Sequence, residues 1–516
     1  ISIPPIPSTQ FSRKVWWDDL LTWYSLTLRV PCVGSACSPR SSRSLRDIYT
    51  DLNLLFTQSS YWLTFINTPF FLRNLYDQDE RSRIQPSLVL AGLALATLVR
   101  SSELELGAAG RHRAIRLRDA AQSALEASSA SQWIDLGLAE AAMFLALFET
   151  SAHPQYSAAR SDSALMFLDN IVASLRLTYL DANDPDPIDY SVAGVPVAHS
   201  GDYEVPKRCE CINIPLGVPY VASKESWSFV PAWDSSWSPS DIRKEETRRL
   251  CWSALMLAAN HTSSCASSYP QRKPLDLFLI NSANFKLLFP GEALQRTTQS
   301  AAHSGKDTVW ALYCRSMLLW NCCVRFQDDM LTGDQKTQIA IAVFVEIRAV
   351  EQALDAHICN IDTALMYMCR EFISKWVFSI PASQSFFLRL LTGIVHTMQH
   401  ETVCDISDET EQVAKRVKSS IHRLSEPNGH LFLRRPFQIS WFTGQMAICL
   451  DLWFGDSALV RALELAKSFL VPIEVLNAMW PCPAYRSQCD DLRSQLHKAC
   501  AMAGIPSPLA PEFLLP

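Results

Sequence analysis

The chain has 516 residues, 48% hydrophobic and 19% charged, with a formal net charge of -6. That length suggests two to four domains or one large helical body, and the low charge implies much buried surface. A slightly acidic chain without a long Lys/Arg run excludes a protein whose main task is neutralising DNA phosphates, and its longest apolar run, Ser87–Val99, is too short to span a bilayer, which needs about 20 residues.

The opening "ISIPPIPSTQFSRK" has no charged segment followed by an apolar one, so it reads as no signal peptide. Starting on Ile1 rather than Met, it reads as a linker remnant (1–12) of a longer chain. Sixteen cysteines are scattered without framework spacing, and many, such as Cys251, Cys314, Cys322, Cys323, Cys369 and Cys449, fall inside helical patterns. They read as reduced thiols used as small hydrophobes. No C-x-x-C occurs, and neither Cys209/Cys211 nor Cys32/Cys37 has a second pair nearby, so no structural zinc site is expected.

Helical periodicity then dominates. "VWWDDLLTWYSLTLR" puts Trp17, Leu20, Leu21, Tyr24 and Leu28 on one stripe, with Asp18 and Asp19 on the polar face. "PSLVLAGLALATLVR" places Pro86 at a first helical position and is apolar all round, as a central helix would be. "GRHRAIRLRDAAQSALEAS" reads as amphipathic, with Arg111, Arg113, Arg116 and Arg118 spread around the wheel. This basic stretch, and Arg40 to Arg46, read as solvated faces or loops. "LAEAAMFLALFE" (Leu138 to Glu149) reads as buried, and "RSDSALMFLDNIVASLRLTYLD" as a long amphipathic helix. Helices with short joins predict an all-α bundle or array.

Residues 182–240 break the pattern. The segment is rich in Pro, Ser and Asp yet keeps Trp227, Trp233 and Trp237, which predicts an irregular excursion pinned to the helices by those rings. Ser238, Pro239 and Asp241 then form a capping box that starts a helix. In "KEETRRLCWSAL" five of the first six residues are charged and the last six are not. Glu245 is spaced to pair with Arg249 at i,i+4, and Glu246 at i,i+3. From Leu250 the helix should enter the core, with its arginines either in surface ion pairs or in a partly buried clamp on carboxylates of neighbouring helices. "PLDLFLINSANFKLLFPGE" alternates and reads as extended. Residues 302 to 503 return to helices, broken at Pro381, near Gly429, at Pro436 and at Trp480 to Pro483.

Candidate chemistry is sparse. His396 and His400, with Glu401 and Cys404 nearby, have zinc-ligand spacing, but Thr397 follows His396 where a zincin needs Glu, so they read as polar helix positions. Asp328 and Asp329 resemble the magnesium-binding aspartates of terpene synthases. The third acid would stand where Thr332 is, and Gly333 suggests that the helix has ended, so the pair reads as a solvated helix end near Asp334. No phosphate-cradling or nucleophile-elbow motif is present.

"EETRRLCWSALML" resembles the E-x-R-R-x-x-W segment of the middle homology region of fungal binuclear zinc-cluster transcription factors. "KVWWDDLLTWYS", "SYWLTFINTPFFLRNLYD", "QPSLVLAGLALATLVRSSELELGAAGR", the segment from Leu138 to Pro185 and "NFKLLFPGE" are similar to the helical block of the basidiomycete members. The resemblance runs from about 13 to 292. It implies an all-α regulatory region (13–300, with 301–516 its C-terminal helical part) that controls transcription by RNA polymerase II in the nucleus. Protein partners or a small-molecule effector are implied, and a homodimer is compatible with the resemblance; an enzyme and a membrane are not implied. The motif carries over to Glu246, Arg248, Arg249 and Trp252. Two departures stand out. Where members often carry Asp-Arg after the Trp, this chain reads Ala258-Ala259-Asn260-His261. The six-cysteine cluster is missing as well, so no cofactor is expected in this chain: zinc and DNA contact would belong to a module upstream of Ile1. The alternatives are a helical scaffold without DNA binding and a terpene-synthase-like helical enzyme.

Overall fold

The computed structural model describes residues 16–21, 24, 40–58, 63–184, 189–192, 195–197, 233–268, 275–298, 305–325, 333–355, 436–455 and 457–508. Among these the chain is all-α apart from one small hairpin. A helical stretch at 16–21 precedes α1 (Arg40–Gln58), α2 (Thr68–Tyr76), α3 (Gln78–Arg81), α4 (Pro86–Val99), α5 (Gly107–Ala130), α6 (Leu136–Glu149) and α7 (Ala158–Ser174). The hairpin β1 (Asp189–Val192) and β2 (Val195–Val197) follows, then α8 (Pro239–Ser268), α9 (Glu292–Thr298), α10 (Val309–Arg325) and α11 (Gly333–Asp355). The chain closes with α12 (Gln438–Gly455), α13 (Val460–Met479) and α14 (Pro483–Ala503). No helix among the described residues is long and apolar enough to cross a membrane.

Helix α4 is the axis of the fold. All fourteen of its residues are buried, from Pro86 at the first position to Val99. An apolar helix satisfies its own backbone groups, so it can be enclosed on every side. Helices α1, α5 and α6 pack on it. Gly92 lets α1 in: a Cβ there would lie 2.8 Å from Leu52 Cδ2. Helix α6 is similarly enclosed, and its N-cap Asp135 accepts from Leu138 N at 3.0 Å. Trp17, Leu20, Leu21 and Tyr24 are buried as their stripe requires, and Asp18 and Asp19 are exposed. Leu28 lies outside the described residues.

The apolar side chains form two main cores. One gathers residues from Trp17 to Leu354, so α10 and α11 belong with α4 to α8 and this core continues past residue 300. The other is built by α12, α13 and α14, with Ala152. Polar contacts tie the second body to the ends of α4 and α6. Trp480 Nε1 donates to Leu98 O at 3.2 Å, and Tyr485 Oη donates to Thr150 O at 3.4 Å. Glu103 N donates to Met479 O at 3.0 Å, and Ala152 N to Pro436 O at 3.1 Å. The expected breaks at Pro436 and at Trp480 to Pro483 are the start of α12 and the α13–α14 junction; Pro381 and Gly429 lie outside the described residues.

Four expectations are corrected. The excursion at 182–240 is not wholly irregular, because β1 and β2 pair antiparallel with Val192 opposite Val195; residues 198–232, with Trp227, lie outside the described residues. Residues 278–284 are not extended but form two 3-10 turns, Phe278–Ile280 and Ser282–Asn284. The reason is local: the Asp169 carboxylate accepts from Phe278 N at 2.9 Å and Leu279 N at 2.8 Å, occupying donors that a sheet ladder would need. Gly333 opens α11 rather than marking the end of the preceding helix. The arginines of α5 are not all solvated: Arg116 is exposed, but Arg111 and Arg118 are buried. Arg111 donates to Ser101 O at 2.9 Å and to Glu103, and Arg118 to Glu149 at 2.5 Å and Gln155 at 2.6 Å.

Candidate functional site

The four residues of the arginine motif lie on the first turns of α8, where Ser238 and Asp241 form the expected box. Asp241 N donates to Ser238 Oγ at 3.3 Å, and Ser238 N to Asp241 at 3.2 Å. Ser238 Oγ also donates to Asp241 Oδ2 at 2.6 Å, and this bond, followed by that from Ser238 N, stabilises the charged form of Asp241 and holds its carboxyl below the usual range. From Glu245 onward the helix is buried through Ala259. The arginines are therefore enclosed, and the surface ion-pair reading falls away.

Arg248 binds Asp181 through both arms of its fork: Nε to Oδ2 and Nη2 to Oδ1, each 2.8 Å. Nη1 reaches Glu245 at 3.3 Å. Burial works against the guanidinium charge, but Asp181 and Glu245 outweigh it and hold Arg248 above its usual range. Asp181 also accepts from Leu288 N at 2.9 Å. One carboxylate therefore joins α8, the turn after α7 and the segment before α9. Arg249 donates from Nε to Glu245 at 2.8 Å, the predicted i,i+4 pair, and its guanidinium lies 3.8 Å from the Trp233 ring centre. Trp233 thus pins the excursion as its composition suggested. Trp252 donates to Leu288 O at 2.9 Å and stacks on Phe289 (5.2 Å, 26°).

Glu246 and Arg249 attract each other as the i,i+3 spacing suggests, but the hydrogen bonds of Glu246 go elsewhere. Glu246 accepts instead from Arg243 Nη1 at 3.0 Å and from Asn67 N, the N-cap of α2, at 2.9 Å. The carboxylates are not those of neighbouring helices either: Glu245 belongs to α8 itself, and Asp181 to a turn. Sequence reading missed Asp181, and no local spacing links it to Arg248, 67 residues away. It also missed Glu140, fully buried within α6. In the Ala258–His261 stretch, His261 Nε2 lies 2.9 Å from Asp162 Oδ1.

A second buried node closes the far end of α6. Glu149 accepts from Arg118 and, at 3.0 Å on each oxygen, from Arg160. Burial raises its pKa, but the guanidiniums outweigh that and hold it low. His153 beside it is fully buried, its Nδ1 accepting from Gln155 N at 3.2 Å. Burial pushes its pKa down to about 4, with Glu149 pulling upward and Arg118 and Arg160 pushing it lower. The unfolded chain, with a histidine near 6.5, binds the proton that the native state refuses. Stability should therefore rise with pH from about 4 to about 6.5 by up to about 3 kcal/mol. Urea midpoints for His153→Gln should show this rise reduced relative to the parent; parallel profiles would contradict a buried neutral ring.

Cys251, Cys314, Cys322, Cys449, Cys482, Cys489 and Cys500 are buried thiols not joined in a disulfide. Burial, with the Asp490 charge behind it, pushes the Cys489 thiol up to about 12. Cys369, the His396/His400 pair, Glu401, Cys404, Asp328, Asp329 and the side chains of Cys323 and Asp334 lie outside the described residues. No group of three or more His, Cys, Asp or Glu that could hold a metal ion occurs among the described residues. Comparison with protein-family models, with curated proteins and with solved structures gives no match to this chain.

Proposed function

We propose that this chain is the regulatory, middle-homology-type region of a fungal zinc-cluster transcription factor. It controls transcription by RNA polymerase II in the nucleus through an effector or protein partner, with DNA contact made by a module outside this sequence. The observation that carries the reading is the way the E-x-R-R-x-x-W segment is used. Arg248, through Asp181, and Trp252, directly, hold the backbone at Leu288, while Glu246 and Arg249 fasten α2 and Trp233 to the same helix turns. That is a structural junction rather than a reaction centre, as a scaffold that transmits binding would need.

A small effector has a place to act. An open cleft of about 560 Å³ lies on the seam between the two bodies, with Arg111 and His112 on one side and Cys482 and Arg486 on the other. A ligand there would touch both bodies at once.

Fusing the whole chain to a heterologous DNA-binding module and measuring a yeast reporter tests the reading. The fusion should change reporter transcription at least several-fold, and Trp252→Ala should abolish the change. A fusion present in the nucleus at normal level with no effect on the reporter would overturn the proposal.

A further inference from the structure

Glu140 stands apart from the other buried carboxylates of the described residues. Its side chain is fully buried in the second turn of α6, and neither carboxyl oxygen has a hydrogen-bond partner. A buried ionised carboxylate without a donor is so costly that such groups stay protonated. Glu246 of α8 stands nearby and accepts from Asn67 N and Arg243 Nη1. The same Nη1 is 4.0 Å from Glu140, too far for a hydrogen bond, and the Arg243 side chain is 45% exposed, so solvent weakens its pull. Glu140 feels only the Arg243 guanidinium, while Glu246 also feels that of Arg249. Glu246 has the donors, so Glu140 must be the neutral acid.

The other charges around α6 are committed elsewhere. Helix α4 carries none. Asp135 caps α6 and adds a negative charge on Glu140's own helix. Arg118 and Arg160 serve Glu149, and Asp162 faces His261. Asp169 holds the Phe278 and Leu279 amides, while Glu245 holds Arg248 and Arg249.

We propose that Glu140 and Glu246 form a pH-sensitive latch between α6 and α8, closed while Glu140 is protonated and loosened when it ionises. Ionisation places a second negative charge beside Glu246, on a Glu140 carboxylate that no donor reaches, and the relief is to move the first turns of α8 away from α6 and from Asn67. Burial, and then the Glu246 charge, raise the Glu140 pKa well above the usual carboxylate range. The native state thus holds this proton more tightly than the unfolded chain does. Stability is lost as pH rises from the ordinary carboxyl value toward Glu140's own raised value. The latch does not depend on the transcriptional reading.

The test compares the full chain with Glu140→Gln, which keeps the shape and cannot ionise. Urea midpoints between pH 7 and 9, above the range in which His153 titrates, should fall with rising pH in the parent, by up to about tenfold per pH unit in the folding constant, and stay nearly level in the variant over the same window. Infrared spectra should show a protonated-carboxyl band in the parent that the variant lacks. Hydrogen exchange at the Asn67 and Phe70 amides, corrected for intrinsic base catalysis, should speed up with pH in the parent only. Glu246→Gln, which removes the neighbouring charge but keeps an acceptor for Asn67 N, should confine the fall to a lower pH range, and it decides the matter if Glu140→Gln does not fold. Parallel pH profiles, or an unchanged infrared band, would overturn the latch.

Discussion

Arg249→Ala should lower the unfolding free energy by about 3–5 kcal/mol. The side chain is 1% exposed and its partner Glu245 is fully buried. Removing the guanidinium leaves Glu245 with Gly291 N at 3.2 Å and one arm of Arg248. It also takes away the surface on which Trp233 rests. Lysine should not rescue the loss, because a point charge cannot reproduce the planar fork that meets Glu245 and the indole together. Removing both charges, with Glu245→Gln and Arg249→Met, should cost less than Arg249→Ala alone, since no buried charge is then left unpaired. Denaturant unfolding monitored by circular dichroism measures all three variants. A loss under about 1 kcal/mol for Arg249→Ala would mean that the pair is solvated, as exposed pairs are.

Trp480→Ala should cost about 3–5 kcal/mol and change the shape of the transition. The indole is fully buried at the α13–α14 break, and its Nε1 satisfies Leu98 O at the end of α4. Leu98 O keeps Ser101 N and Oγ as donors at 2.9 and 2.7 Å, so the cost lies in the cavity that the truncation opens. The Glu103, Ala152 and Tyr485 hydrogen bonds, the Tyr156–Tyr485 ring pair at 4.7 Å and the packing of α12 on α8, with Trp441 against both cores, also join the two bodies. Trp480 is the largest fully buried side chain at this junction, so its loss weakens the coupling at its centre. Calorimetry should show one parent transition splitting in two, with α12 to α14 melting first. A single transition shifted as a whole would show that the other contacts suffice.

Several features were legible in the sequence because their causes are local. An apolar helix with no charged residue has to be central, and Pro86–Val99 is. Serine and aspartate three apart around a proline have to cap a helix start, and Ser238 and Asp241 do. The i,i+4 spacing of Glu245 and Arg249 lies on one helix face whatever surrounds it. The passage from charge to apolar residues at Leu250 marks a helix entering a core.

Other features depend on which segments meet. The wheel position of Arg118 looks like that of any surface arginine, and only the arrival of Glu149 makes it internal. Asp181 sits in an ordinary acidic turn until α8 brings Arg248 to it. Glu246 can reach Arg249 along the helix, but Asn67 offers a buried amide that satisfies it better. Glu140 lies among alanines, where one acid in an apolar helix gives no sign of having no donor. By itself, then, the sequence determined the helices, their caps and the central place of α4, because periodicity and capping act within one or two turns. The tertiary structure alone decided which charges are paired, shared or stranded, because pairing energy depends on distance and burial between segments far apart in the chain.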